Sequence, residues 1–165
     1  MRSTGGDWQT TRVDLVITVD DPRRADVRDV LVAHLRLAHE VTPPEGVHAL
    51  DVDGLLDPTV VFFSARSDDV VVAVGALKHL DESHAELKSM HVVESARRGG
   101  VGRAMVGHLL AVAAERGYRR VSLETGTMDA FAPARALYAA AGFEPCEPFG
   151  EYVASATSAC MTRLV

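Results

Sequence analysis

Cysteine is nearly missing from this chain. Cys146 and Cys160 are its two copies in 165 residues, too few for a disulfide framework. No CxxC or Cys/His cluster offers zinc a ligand set, so no metal is expected. Long apolar runs are missing as well. Nothing approaches the roughly 18 apolar residues of a membrane span, and the polar residues 1–11 contain no apolar signal core. Residues 1–11 therefore read as a frayed lead-in, and the expectation is a cytoplasmic protein with no membrane partner. The third shortage is of basic charge. Lys and Arg total 17 against 23 Asp and Glu, a formal net charge of −6, which argues against a general nucleic-acid binder. Repeats, linkers and low-complexity segments are also lacking. With 47% hydrophobic residues, residues 12–165 can build one domain around a sizeable core.

What the chain does have is a readable alternation of periods. Residues 13–19 alternate and are β-branched, which predicts a strand. Asp20-Asp21-Pro22 offers an N-cap and an early proline for a helix. The apolar set Val27, Val30, Leu31, His34, Leu35 and Ala38 then follows helical spacing, until Thr42-Pro43-Pro44 stops it. Residues 45–58 are acidic, with a few leucines, and suggest a short helix and a loop. Residues 59–66 and 70–80 read as strands joined by a tight turn at Ser67-Asp68-Asp69. A further turn at 80–83 leads to a strand at 85–93. A helix follows with the stripe Val101, Met105, Leu109 and Val112, ended by Gly117. Residues 120–124 form the next strand, residues 132–141 a second helix closed by Gly142, and residues 143–146 and 158–164 two last strands. The short connections imply antiparallel neighbours. The fold class is α/β (α+β): a mixed, mostly antiparallel sheet of six to seven strands, with helices on its faces.

The stretch "SARRGGVGRAM", residues 95–105, carries the chemistry. A glycine-rich turn before a helix gathers free backbone N–H groups and the positive end of the helix dipole. Arg97, Arg98 and Arg103 add local positive charge to an acidic protein. Such a loop suits a phosphate, but several families build one. A P-loop needs lysine and Ser/Thr after its last glycine, where this chain has Arg103-Ala104. A dinucleotide fingerprint needs a third glycine where Met105 stands.

Arg97-x-x-Gly100-x-Gly102 resembles the R/Q-x-x-G-x-G/A signature of the GNAT acetyltransferases. The residues around it, "ELKSMHVVESARRGGVG" (86–102), are similar to that family's fourth strand and acyl-CoA loop. "ARALYAAAGF" (134–143) is similar to its A-x-x-L-Y-x-x-x-G-F segment, at the family's spacing. The likeness covers nearly the whole chain from Val13, and the run "SLETGTMDAFAPARALY" looks most like bacterial small-molecule acetyltransferases. It implies the acyl-CoA N-acyltransferase fold and acetyl transfer from acetyl-CoA to a primary amine in a ternary complex. It also implies that residues 45–58 fall in the variable acceptor region, and that homodimers are common. An alternative on the same fold is a non-catalytic acyl-CoA-binding or sensor module, which would bind acetyl-CoA without turnover.

The resemblance assigns roles to positions. Backbone N–H groups of Arg98, Gly99, Gly100, Val101 and Gly102 would wrap the pyrophosphate of coenzyme A, where side chains at Gly100 and Gly102 would block the approach. Arg97, Arg98 and Arg103 would add charge at the phosphates or stand as solvated surface residues. The strand Met90-His91-Val92 would splay from its neighbour, and the N–H of Met90 or His91 would polarise the thioester carbonyl. Preorganised donors of this kind contribute on the order of 3 kcal/mol in acyl transfer. Tyr138 matches the tyrosine that protonates the leaving thiolate, and equally suits packing on Phe143. The amine, with a pKa of about 10.4, needs a base. Glu86, Glu124, His91 or ordered water are the candidates. Strict alternation would set Glu86, Lys88, Met90 and Val92 on one face, opposite Leu87, Ser89 and His91. One departure stands out. Phe131 occupies the position where many members have an asparagine that bonds pantetheine, so that contact is either absent or supplied by Thr125 or Thr127. "HLDESH" (79–84) reads as a solvated turn, His34 as a partly buried histidine, and both cysteines as buried thiols. Asp51, Asp53 and Asp57 either attract a cationic amine or are simply solvated.

Overall fold

The computed structural model describes residues 14–165. The expected lead-in, and the start of the first expected strand, lie outside the described residues. In chain order the elements are β1 (Leu15–Val19), α1 (Ala25–Val41), α2 (Val52–Leu55), β2 (Val60–Ser67), β3 (Val70–Asp81), β4 (His84–Val92), α3 (Val101–Glu115), β5 (Arg120–Gly126), α4 (Ala132–Ala140), β6 (Glu144–Pro145) and β7 (Ser158–Leu164). The strands form one seven-stranded sheet, in the order β1-β2-β3-β4-β5-β7-β6. Only β4 and β5 run parallel, because α3 carries the chain back across the sheet between them. The other neighbours are antiparallel.

Local chemistry explains most of the boundaries. The β2–β3 turn places Asp68 and Asp69 at φ of 50° and 64°. Both central residues of a tight hairpin turn adopt positive φ, and Asp tolerates it better than most residues. The expected cap of α1 is corrected. The helix begins later, at Ala25, and Arg24 precedes it without a side-chain cap. Asp21 is instead drawn to the guanidinium of Arg23. Asp20 accepts from Ser64 and from Arg66, pinning the end of β1 to β2. Thr42 ends α1 in extended geometry, as the following Pro43-Pro44 requires.

Each face of the sheet buries its own core. Under α3 and α4 lie Phe63, Leu77, Leu87, Met105, Leu109, Val121, Leu123 and Phe143. Under α1 and α2 lie Val27, Leu31, Leu55, Phe62, Val74 and Ala76. Burying one such side chain contributes about 1.5–3 kcal/mol, so this two-sided core dominates the stability.

Strand β4 departs from the alternation expected of it. Between the pairs Val74↔His91 and Ala76↔Lys88 the register shifts, so Ser89 and Met90 lie opposite Gly75 alone. This is a β-bulge, with Ser89 at a φ of 55°. The extra residue flips the phase of everything after it. Met90 and Val92 therefore pack with the α3-side core, while His91 turns to the α1 side, its ring 5.3 Å from that of His34. Gly75 makes room for the bulge, since a Cβ there would sit 2.9 Å from the Met90 sulfur. Ahead of the bulge, after Glu86, β4 and β5 part. Their pairing covers only His84, Ala85 and Glu86 against Arg120, Val121 and Ser122, although β4 continues to Val92 and β5 to Gly126.

Candidate active site

The parting of β4 and β5 opens a cleft of roughly 720 Å³, including its mouth. Its walls come from α1 and its cap (His34, Thr42), the segment 46–49, the middle of β4 (Glu86 to Met90), the end of β5 (Glu124 to Gly126), Phe131 with Ala134 and Tyr138 of α4, and Tyr152. From Leu87 onward the β5-facing edge of β4 has no strand partner, and an unpaired edge is a template for an extended ligand backbone.

The glycine loop stands at the α3 end of the same strand. Glu94–Ala96 makes a single 3-10 turn. Arg98 and Gly100 then adopt left-handed φ of 68° and 82°, and α3 starts at Val101. The first bond of the helix runs from the Ala104 N–H to the Gly100 carbonyl. Among the described residues, the backbone N–H groups of Arg98, Gly99, Gly100, Val101, Gly102 and Arg103 have no acceptor. These six donors lie at the positive end of a 15-residue helix, an arrangement able to receive phosphate oxygens.

Glu86 and Lys88, two apart on β4, point into the cleft beside Tyr152 from the loop between β6 and β7. Lys88 Nζ lies 3.2 Å from Glu86 Oε1 and 2.8 Å from the Tyr152 hydroxyl. That hydroxyl donates in turn to Glu86 Oε1, closing a three-membered cluster. Burial first, then the negative charge of Glu86, pushes the Tyr152 phenol above its ordinary value. Glu124 also lines the cleft, with a single hydrogen bond, 3.0 Å from the Ser158 hydroxyl. Burial raises its pKa against the lowering effects of Ser158, His48 and Lys88.

A family model described as "Acetyltransferase (GNAT) family" matches residues 27–143. The chain belongs to the GNAT acetyltransferase family. The uncharacterized N-acetyltransferase YsnE of Bacillus subtilis (strain 168) is 42% identical over 147 residues, covering 89% of this chain and 97% of the relative. Among solved structures, a putative acyl-CoA N-acyltransferase from Klebsiella pneumoniae subsp. pneumoniae MGH 78578 superposes with a TM-score of 0.77 at 25% identity, over 92% of this chain and 98% of that one. A GNAT family acetyltransferase from Elizabethkingia anophelis with acetyl-CoA bound gives 0.69 at 16% identity, again over 92% and 98%. That last likeness is one of fold.

In this N-acetyltransferase the residues singled out from the sequence fall into three groups. Glu86, Glu124, Met90 and Tyr138 meet in the cleft. Tyr138 is buried, its pKa pushed up by that burial, and its ring packs edge-on to Phe143 with centroids 5.9 Å apart. Its helix is tied to β5 by Arg135, which donates to the carbonyls of Gly126 (2.7 Å) and Met128 (3.0 Å). The loop residues Arg98 to Arg103 form the donor seat described above. The third group turns elsewhere. The His91 ring meets His34 edge-on, and burial holds both imidazoles at about 4. Val92 and Val101 pack with the core. Arg97 folds back, its Nε 3.2 Å from the Val92 carbonyl.

The two glycines of the signature differ in their reasons. Gly100 is required by its φ, and a Cβ there would meet nothing within 4 Å. Gly102 is favoured by packing: its Cβ would stand 3.0 Å from a Leu137 methyl and 3.4 Å from Val92, so a side chain there makes a neighbour give way. Phe131 fills the departure noted in the sequence, lying against Gly126 and lining the cleft. Thr125 lines it too, whereas Thr127 is committed to the Ala156 carbonyl at 2.6 Å. Asp51 and Asp57 serve their own turns, accepting from the N–H of Gly54 and Thr59. Cys160 is buried and Cys146 only half so. Lys88, Tyr152 and His48 went unrecognised as site residues. Alternation with Glu86 signals Lys88. Tyr152 and His48 sit in loops, where no period betrays them.

Proposed function

We propose that this enzyme transfers the acetyl group of acetyl-CoA directly to a small primary amine, with Glu124 as the base and Tyr138 as the acid. The observation that carries this reading is the cleft between β4 and β5. Its walls hold an unpaired strand edge, a singly bonded carboxylate and a buried phenol, and the six N–H groups without an acceptor follow the end of β4. The residues present suit a coenzyme A thioester. The loop 98–103 would hold the pyrophosphate, with Arg98 and Arg103 adding charge, and the free edge of β4 would bond the pantetheine amides. The backbone at Met90–His91 would donate to the thioester oxygen.

Glu124 suits the base better than Glu86. Glu86 is already engaged by Lys88 and Tyr152, so its charge is spent. Glu124 has a raised pKa, which brings a carboxylate closer to the amine whose proton it must take. The ammonium gives one proton to Glu124, and the nitrogen lone pair attacks the thioester carbon. The carbon–sulfur bond then breaks. The thiolate takes the Tyr138 proton, the amide nitrogen sheds its second proton to restore the tyrosine through solvent, and Glu124 releases the first proton to solvent. The balance is acetyl-CoA plus ammonium to amide, free coenzyme A and one proton.

The test is acetyl-CoA-dependent release of free thiol with a panel of primary amines. Turnover that falls about 100-fold or more in Glu124→Gln, against a much smaller loss in Glu86→Gln, is expected. Equal losses in the two would remove the assignment of the base.

A further inference from the structure

The two carboxylates of the cleft are not equivalent, and the difference bears on what the acceptor can carry. Lys88 and Glu86 form a buried pair, their side chains 9% and 4% exposed. Lys88 also spends its remaining protons inside the protein, on the Tyr152 hydroxyl at 2.8 Å and toward the His48 carbonyl at 3.5 Å. It is the one Lys or Arg among the described residues that line the cleft. No lysine or arginine is left there to receive an anion. His34, beside it, is held neutral by burial. His48 lies at the exposed rim, its ring edge-on to Tyr152 with centroids 5.1 Å apart. Setting the Glu86–Lys88 pair aside leaves Glu124 as the carboxylate without a cation.

We infer, resting on the reading above, that the acceptor is a small primary amine that carries no carboxylate and whose ammonium is received by Glu124. An α-amino acid would bring its carboxylate into a cleft whose lysine is occupied, and an unpaired buried charge is strongly disfavoured. The unoccupied walls are aromatic or small: His34, Phe131, Ala134, Gly46 and Ala49. They suit an uncharged body behind the amine.

Matched probes isolate the carboxylate. The wild-type enzyme would be assayed with acetyl-CoA and 2-phenylethylamine, phenylalaninamide or phenylalanine, scoring free thiol and the acetylated product by mass. The amide keeps the substituted carbon but removes the charge, so it separates charge from size. The amine and the amide are expected to exceed phenylalanine in kcat/KM by about 100-fold, the range set by a desolvated unpaired charge. The gain of 2-phenylethylamine over phenylalanine cannot come from the free-amine fraction, because phenylalanine loses its ammonium proton more readily than 2-phenylethylamine does; the amide, more acidic than either, is compared per free amine. Phenylalanine turned over as well as the amide would overturn the inference, while thiol release would leave the transferase reading standing. Failure of both uncharged-body probes would also overturn it. Titration with acetyl-CoA alone then shows whether the transferase reading falls with it.

Discussion

Tyr138 and Glu124 show how one side chain can serve packing and chemistry together. Tyr138 is a wall of the core against Phe143 and a wall of the cleft as well. Tyr138→Phe keeps the ring and removes the proton. The melting temperature is expected to stay within a degree or two of wild type, while kcat falls about 100-fold. Unchanged turnover would reduce the tyrosine to packing. Glu124 faces Glu86 and Lys88 from β4, His48 from the 46–49 segment, Tyr152 from the β6–β7 loop and Cys160 from β7. Burial raises its pKa, so kcat/KM should climb with pH through a limb above the ordinary carboxylate range of about 4.3. Removing Lys88, as in Lys88→Met, deletes a charge that lowers this pKa and unmasks Glu86, which raises it. The limb is then expected to move to higher pH. A limb that stays in place would show that Lys88 serves structure alone.

At the scale of elements, the glycine loop, the helix α3 that it opens and the neighbouring α4 act as one piece. Gly102 lets α3 approach Leu137 of α4, the neighbour of Tyr138. Gly102→Val is expected to cost about 1–3 kcal/mol by overpacking, read as a shift in the urea midpoint, and to lower turnover with it. Gly100→Ala meets open space, so its expected cost of about 1–2 kcal/mol is backbone strain at positive φ. A Gly102→Val protein of unchanged stability would contradict the packing role. The strand and helix order was legible because short turns and a change of period from 2 to 3.6 mark most junctions. The β4 bulge was not. A template of strict alternation cannot register one extra residue, and its sole trace is a glycine, Gly75, inside an apolar strand. Tyr152 was illegible for another reason. It reaches Glu86 across 66 positions of chain, a contact that only the folded sheet creates.

For the molecule as a whole, acid sensitivity should report on the packing of α1 against β4. His34 and His91 face each other with imidazole pKa values of about 4, against about 6.5 in the unfolded chain. Burial disfavours the charged ring, so the stability held by neutral rings is complete above about pH 6.5. It is lost as pH falls toward 4. Between pH 7.5 and 5 the unfolding free energy is expected to drop by about 1–2 kcal/mol on account of His34, and His34→Leu should flatten that slope. An unchanged slope would place the rings in water. The charge of the whole chain has a further consequence. In a protein of net charge −6, an anionic donor is drawn only to the local positive end of α3 and its arginines. Calorimetric titration with acetyl-CoA, with NAD as control, tests this seat most directly. The account predicts micromolar, salt-sensitive binding of acetyl-CoA alone, weakened at least about tenfold when Gly100→Asp, whose Cβ meets open space, sets a carboxylate beside the free N–H groups. Absence of acetyl-CoA binding, or equal binding by the Gly100→Asp protein, would contradict it.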